Sequence, residues 1–265
     1  MLGLAIIILE LLAITGGPLL ISYDPIEAAV NNRFQSPSLD HPFGTDELGR
    51  DILTRVLYGG RISIGVGVSS VFICMLAAVP LGLVSGYVGG RTDETAMRFI
   101  DILLTFPGIL LAIVIAATLG PSAWNVIFAV AIFHIPIFAR VTRAETLSIK
   151  EKSYIEAAHA VGARDMRIMF KHILPNMTGP ILVLMSLSVG TAILSATALN
   201  FIGLGGQPPT PEWGLMLSSG RDYLRNEWWV ATFPGLIILV TALGVNLLGD
   251  GLRDVLDPRI RTSKG

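Results

Sequence analysis

Side chains that could do catalytic chemistry are few and widely separated in this 265-residue chain. A phosphate-binding loop needs glycines whose N–H groups cradle phosphates, followed by Lys and Ser or Thr. No lysine here follows glycine in that way, and no H-E-x-x-H or G-x-S-x-G motif occurs. We therefore predict that the chain is not an enzyme, and that energy from ATP would have to enter through a partner. The lysines are Lys150, Lys152, Lys171 and Lys264.

Metal and thiol chemistry are not indicated either. His41 stands alone, without the spacing of a metal site. Cys74 is the only cysteine, so an intramolecular disulfide is excluded, and its apolar surroundings favour packing over reactivity. We predict no metal and no cofactor in this chain.

Three ionisable residues, Glu10, Asp101 and His134, fall inside apolar stretches. An ionisable group within the membrane is a functional hypothesis by default, and these three could form the proton path of a secondary transporter. Local pairing is the alternative: Asp101 with Arg98, and Glu10 and His134 with other groups inside the bundle. Their wide spacing favours pairing.

The composition is that of a membrane protein. Hydrophobic residues make up 52% of the sequence and charged residues 15%, against roughly 25% charged residues in a soluble domain. In water such a chain would expose a large apolar surface, so lipid is its natural surrounding. The formal net charge of −1 gives no basic excess that would indicate nucleic acid.

Apolar stretches as long as a membrane-spanning helix recur along the chain. The first has no basic segment before it and no clear small-x-small site after it, which favours a span over a signal peptide. The sequence predicts an all-α polytopic membrane bundle with about six transmembrane helices, in one domain covering residues 1–265. The predicted spans are residues 2–21, 62–88, 99–119, 124–139, 178–199 and 232–248.

Some residues within the spans would shape the packing. Gly82 and Gly86 form a G-x-x-x-G pair that lets backbones approach closely. Phe106 and Pro107 would bend the third span and loosen its backbone, as in the wall of a pathway. Ser186 lies on a stripe of small and polar residues that can face other helices or a water-filled path.

Two polar segments separate spans at one side of the predicted bundle. In residues 22–61, Thr45 or Asp46 would cap a helix running to about Tyr58, with Glu47–Arg50 and Asp51–Arg55 pairs along it. In residues 200–231, a loop precedes a short helix at 212–224. The tryptophans in and after that helix are typical of the aromatic belt at a membrane surface.

Residues 150–175, which we call the island, form a polar stretch between two spans. Ser153 and Glu156 have the spacing of a capping box, and Gly162 would end the first short helix. A second helix would follow and stop at Pro175. The pattern alone fits an amphipathic connector as well as a docking knob. Its predicted apolar faces contain Tyr154, Ala157, Ala158, Val161, Met166, Ile168, Met169 and Phe170.

The island carries a resemblance to a known family. Glu156-Ala157-Ala158, then Gly162, then Leu174-Pro175 resembles the EAA loop of binding-protein-dependent ABC importer permeases. The segments GTDELGRD, MRFIDILLTFP, EAAHAVGARD with HILPN, FIGLGGQPPTPEWG and LLGDGLRDVLDP extend the resemblance over nearly the whole chain. Within that family, the chain is similar to the C-type permease subunit of the dipeptide, oligopeptide and nickel branch.

The resemblance implies the type I importer fold and import of small peptides, with nickel or glutathione as alternative cargo. It also implies a second permease subunit, two ATPase subunits that bind ATP and Mg, and an external binding protein. Residues 143–177 would be the cytoplasmic coupling loop. The residues implied in ATPase coupling are Glu156, Ala157, Ala158, Gly162, Leu174 and Pro175, and those implied near the external mouth are Trp213 and Arg221.

The distribution of positive charge predicts the orientation. With six spans and a cytoplasmic N-terminus, 13 of the 19 Lys and Arg residues fall on the side of the island. Because cytoplasmic loops carry the excess of positive charge, the island and both termini are expected in the cytoplasm, at the cell inner membrane. Members of the resembling family usually have a cytoplasmic tail before the first helix, so a short variant or a misplaced start is expected here.

Overall fold

Helices account for nearly all of the ordered secondary structure. The computed structural model describes residues 2–256, and that range contains no β-strand, only an isolated bridge between Thr45 and Asp51. The helices are α1 (Leu2–Leu20), α2 (Ile52–Val88), α3 (Gly90–Leu104), α4 (Gly108–Leu119), α5 (Ala123–Lys150), α6 (Ser153–Ala160), α7 (Asp165–Ile168), α8 (Leu174–Asn176), α9 (Thr178–Phe201), α10 (Trp213–Gly220) and α11 (Trp229–Leu256).

The predicted all-α bundle is confirmed. Five helices within the described residues are long and apolar enough to cross a membrane, namely α1, α2, α5, α9 and α11. The sixth candidate is a broken pair, α3 and α4, whose axes differ by 87°. The break falls at residues 105–107, so the bend predicted from Phe106 and Pro107 is present. Helix α3 begins at Gly90, nine residues before the predicted start of this span at residue 99.

The second span differs from the prediction in its start. Residues 45–58 do not form a separate capped helix; α2 is continuous over 37 residues, or about 55 Å at 1.5 Å per residue. The capping residue is Asp51, whose carboxylate accepts from the Thr54 N–H at 2.8 Å and the Thr54 hydroxyl at 2.7 Å. Thr45 and Asp46 are instead buried in the preceding loop.

Close backbone contact between α2 and α5 forms the centre of the bundle. A side chain at Gly82 would collide with the Ala139 carbonyl, and one at Gly86 would lie 2.9 Å from the Arg143 carbonyl. The predicted small-residue packing is thus present, within this chain. Apolar side chains of α4 and α9, including Ala116 and Ile193, complete this core.

Helix α3 is attached to α5 by two ion pairs. Asp93 binds Arg143 through two contacts of 2.5 Å, and Asp101 binds Arg140 at 2.5 Å. The predicted Asp101–Arg98 pair is therefore wrong, since Arg98 binds Glu94 one turn earlier. Helix α11 exceeds the predicted last span at both ends. The end of the polar tail, residues 257–265, lies outside the described residues.

Candidate functional site

The first half of the island is α6, and its start differs from the sequence prediction. Lys152 has an extended backbone and precedes the first helical residue, Ser153. No side chain caps this end; the N–H groups of Ile155 and Glu156 bond to the Lys152 carbonyl at 2.9 and 3.4 Å. The predicted Ser153–Glu156 capping box is wrong because the helix begins one residue earlier than that motif requires.

The end of α6 is as predicted. Gly162 has φ +79°, a left-handed conformation that glycine adopts without a Cβ penalty. Its N–H bonds to the His159 carbonyl at 2.9 Å, and the Ala163 N–H bonds to the Ala158 carbonyl at 3.0 Å. These two bonds form a Schellman motif, which reverses the chain at the tip of the island. A Cβ at position 162 would meet no atom within 4 Å, so backbone conformation alone requires glycine here.

The second half of the island is a composite helix. Helix α7 passes into a π turn, Met169–Ile173, and then into α8. Pro175 lies within α8 and does not end it; the break falls at Met177. Proline removes one helical hydrogen bond and crowds the preceding turn, and a wider π turn just before it relieves that crowding. The predicted stop at Pro175 is therefore two residues early.

One face of the island is buried against the bundle. Ile155, Ile168 and Ile173 are almost completely covered and pack with residues from α2, α5 and α9. Of the six residues expected to couple to an ATPase, Ala158 and Leu174 pack partly against this cluster. The other four, Glu156, Ala157, Gly162 and Pro175, are exposed.

The opposite face exposes apolar side chains. Val161 is 83% exposed and Met166 63%, and Tyr154 and Phe170 are also exposed. The amphipathic character of the island is thus present, but its buried face is formed by the isoleucines rather than by Tyr154 and Val161. An exposed apolar surface around a low, Ala-rich helix is typical of a docking surface.

Tyr87, near the end of α2, connects the bundle to both halves of the island. Its hydroxyl donates to Asp165 Oδ1 at 2.7 Å, and its ring stacks against His159 with centroids 6.4 Å apart. Lys150 Nζ donates to the Tyr87 carbonyl at 2.6 Å. The sequence pattern does not single out Tyr87 and Asp165, because no local motif pairs residues 78 positions apart.

The polar residues predicted for a pathway do not converge. Glu10 is buried and accepts a hydrogen bond from Thr241 on α11. His134 lies 2.9 Å from the Val130 carbonyl and 3.2 Å from the Thr191 hydroxyl on α9. Asp101, as described, binds Arg140.

The remaining residues predicted for a pathway also lie apart from one another. Ser186 donates to the Val183 carbonyl of its own helix at 2.8 Å, and Phe106 and Pro107 occupy the exposed break between α3 and α4. Among residues 2–256, none of these six hydrogen-bonds to another. Glu10, Asp101 and His134 each contact a different helix. In the same range, Ser186 bonds only within its own helix.

The far end of the bundle is closed by residues 22–51 and 202–228, which we call the cap. Trp213, expected near an external mouth, is fully buried, and its indole N–H donates to the Val56 carbonyl at 2.8 Å. Gly59 and Gly60 leave room for it on α2. The interfacial position predicted for Trp213 is therefore wrong. Arg221 is exposed, as expected for a mouth residue, and pairs with Asp222 at 3.3 Å.

Charged residues are buried inside the cap. Asp46 binds Arg50 Nε at 2.7 Å and lies 3.5 Å from Arg55 Nε, and Arg50 also binds Glu47. The predicted Glu47–Arg50 pair is present. The predicted Asp51–Arg55 pair is not formed, because Asp51 caps α2 and contacts His41 at 3.0 Å.

Glu212 links the second segment of the cap to α2. It caps α10 through the Leu215 N–H at 2.9 Å and accepts from the Ser63 hydroxyl at 2.9 Å. Burial raises the pKa of Glu212 above its ordinary value of 4.5, although these hydrogen bonds oppose the shift.

Known proteins resemble this chain closely in sequence. A family described as "binding-protein-dependent transport system inner membrane component" matches residues 78–262. A dipeptide transport system permease protein, DppC, of Alkalihalophilus pseudofirmus is 48% identical over 98% of this chain and 86% of its own length. A glutathione transport system permease protein, GsiD, of Escherichia coli O1:K1 is 52% identical over 87% of this chain and 76% of its own.

A solved structure shares the fold. The MetNI methionine ABC transporter, in an inward-facing conformation, matches with a TM-score of 0.62 over 77% of this chain and 96% of the matched chain. The two sequences are 17% identical, so this likeness concerns the fold alone.

Proposed function

Because the chain belongs to the family of binding-protein-dependent transport system inner membrane components, we propose that it imports di- and oligopeptides as the permease subunit of an ABC importer. We choose peptides as the cargo because a dipeptide permease is 48% identical to this chain over 98% of its length. Glutathione is the second candidate, because a glutathione permease is 52% identical over 87% of the chain. Glutathione is itself a tripeptide, so both cargoes belong to one chemical class.

The island is the proposed receiver of mechanical work. This chain has no phosphate-binding loop, so ATP and Mg would be bound by two ATPase subunits. The exposed Glu156, Ala157 and Gly162, with apolar side chains around them, would enter a groove on an ATPase. Closure of the ATPases would then move the island and rock the spans, alternating access to the pathway.

The remaining partners follow from the same proposal. A second permease subunit would complete the pathway, and an external binding protein would deliver the peptide at the cap. The island and both termini would lie in the cytoplasm, as the excess of Lys and Arg on that side indicates. The alternative of a proton-coupled transporter loses its support, since Glu10, Asp101 and His134 are each paired with a different element.

The proposal is tested by reconstitution. We expect proteoliposomes containing the chain, its partner permease and the ATPases to take up labelled dipeptide only with ATP and the binding protein. Uptake of Ni²⁺ instead of peptide would refute the proposed cargo, and uptake of glutathione without dipeptide would select the second candidate. Uptake that collapses with a protonophore while ATP remains would refute the mechanism.

Docking is tested by filling the surface of α6. Ala157→Trp places a bulky side chain at an exposed position of the island, so we expect the ATPase no longer to copurify with the permease. Ala28→Trp, which makes the same substitution at an exposed position in the cap, is the matched control and should leave copurification unchanged. Normal copurification of the Ala157→Trp complex would exclude this contact.

A further inference from the structure

Tyr87 lies where the island meets the longest helix of the bundle, and its hydroxyl contacts Asp165 and, at 3.5 Å, His159 Nε2. Tyr87 is the next-to-last residue of α2 and is 6% exposed, within an apolar cluster that includes Ile155 and Ile168. Its hydroxyl reaches out of this cluster to the carboxylate of Asp165 at 2.7 Å. A hydrogen bond to a carboxylate is shorter and stronger than one between neutral groups.

The residues around Tyr87 come from every part of the island. His159, on α6, stacks on the Tyr87 ring. Asp165, the first residue of α7, accepts a hydrogen bond from the Tyr87 hydroxyl, and Lys150, the last residue of α5, donates one to the Tyr87 carbonyl. His159 and Asp165 stand on either side of the Gly162 turn. A movement of the island tip must therefore move Tyr87 or break the contact with Asp165.

The other end of the same helix is attached to the cap. Trp213 donates to the Val56 carbonyl, Glu212 accepts from Ser63, and Arg55 donates to the Pro25 carbonyl at 2.6 Å. Helix α2 is unbroken between these contacts and Tyr87. Its length of about 55 Å exceeds the roughly 40–45 Å of a whole bilayer, so it connects the two surfaces directly.

We propose that Tyr87 is a positioning residue for transport: its hydrogen bond to Asp165 makes the island and α2 move together, so that displacement at the island reaches the cap. The inference rests on the proposed function, because it assumes that an ATPase moves the island. Because Tyr87 is almost completely buried within this chain, it would act through α2 rather than on cargo or ATPase. The apolar cluster holds the island in place, and the directional hydroxyl–carboxylate bond fixes its register on the helix.

The test removes only the hydroxyl. Tyr87→Phe keeps the ring in its cluster, and Asp165 is exposed enough to be hydrated, so folding and ATPase copurification should be unchanged. We expect peptide imported per ATP hydrolysed to fall by between about twofold and about thirtyfold, the range for residues that carry coupling between sites. Asp165→Ala should give the same loss, and the double variant should lose no more than either single variant.

Two control variants distinguish loss of the Tyr87–Asp165 hydrogen bond from a general loss of structure. Tyr58→Phe makes the same change on α2, where the hydroxyl has no hydrogen-bond partner among residues 2–256, and should import normally. Asp165→Asn keeps an acceptor oxygen for Tyr87 and should restore most of the coupling lost in Asp165→Ala.

The outcomes that overturn the inference differ from those that overturn the proposed function. An unchanged import ratio in Tyr87→Phe, additive losses in the double variant, or loss of ATPase copurification would each overturn the role of Tyr87. The proposed function fails instead if the wild-type complex neither retains the ATPase nor imports peptide with ATP.

Discussion

The cap and the island close opposite ends of the same bundle, but they treat polar and apolar groups in opposite ways. The cap buries its charges: Asp46 and Arg50 are almost completely covered, and both Arg50 and the buried Arg55 of α2 contact Asp46. The island leaves its polar and apolar tip exposed and buries a row of isoleucines together with Met169. The buried charges of the cap are therefore paired within this chain, whereas the island presents a surface that a partner can cover.

This difference has an energetic reason. Buried charges cost several kcal/mol each unless they are paired and hydrogen-bonded, so a cap built from them must be rigid. The island is held by apolar packing and by Tyr87, and the side chains of Glu156 and Val161 near its tip stay exposed. Substitutions in the cap should consequently affect folding, and substitutions in the island should affect transport.

The largest effect is expected from Asp46→Ala. This change leaves Arg50 and Arg55 buried without their shared carboxylate, and breaking such a buried pair costs about 3–5 kcal/mol. We expect a large drop in the midpoint of thermal unfolding of the detergent-solubilised protein. Asp222→Ala removes the carboxylate of an exposed ion pair with Arg221 and should cost less than about 1 kcal/mol. Equal losses in the two variants would contradict a cap stabilised by buried charge.

Gly162→Val should lower the free energy of unfolding less than Asp46→Ala does, but it should abolish transport. A side chain at φ +79° costs about 1–2 kcal/mol or more, which should distort the tip of the island without unfolding the bundle. We expect ATP hydrolysis to continue while uptake is lost, with normal amounts of protein in the membrane. Gly179→Val adds the same side chain where no atom lies within 4 Å and φ is not positive, and serves as the control. Normal uptake by Gly162→Val would show that the island does not couple ATP hydrolysis to transport.

The smallest effect is expected from Glu212→Gln, and it should depend on pH. Because its folded pKa is raised, Glu212 contributes stability that is complete below the unfolded pKa near 4.5 and is lost as pH rises through the folded value. Glutamine does not titrate, so the stability of the variant relative to wild type should increase as pH rises above 4.5.

Unfolding midpoints measured from acid to neutral pH check this prediction. Glu27→Gln, at an exposed position of the cap, controls for the removal of one carboxyl group. A constant difference between Glu212→Gln and wild type across that range would show that burial in the cap does not perturb this carboxyl group.

Sequence alone determined the features that depend on a few neighbouring residues or on a sustained apolar pattern. The spans follow from stretches long enough to cross a bilayer, the bend follows from Pro107, and the turn at the island tip follows from Gly162. The resemblance of the island to a known family likewise rests on local spacing. Each of these features depends either on residues within about one or two helical turns or on the apolar character of a single helix.

The tertiary structure decided the features in which distant residues compete for the same partner. Asp101 binds Arg140 rather than the nearby Arg98, because α3 lies against α5. Trp213 is buried rather than interfacial, because Gly59 and Gly60 leave room for it on α2. Tyr87 and Asp165 meet across 78 residues. The physical reason is that burial and pairing depend on which helices pack together, and no local pattern specifies that choice.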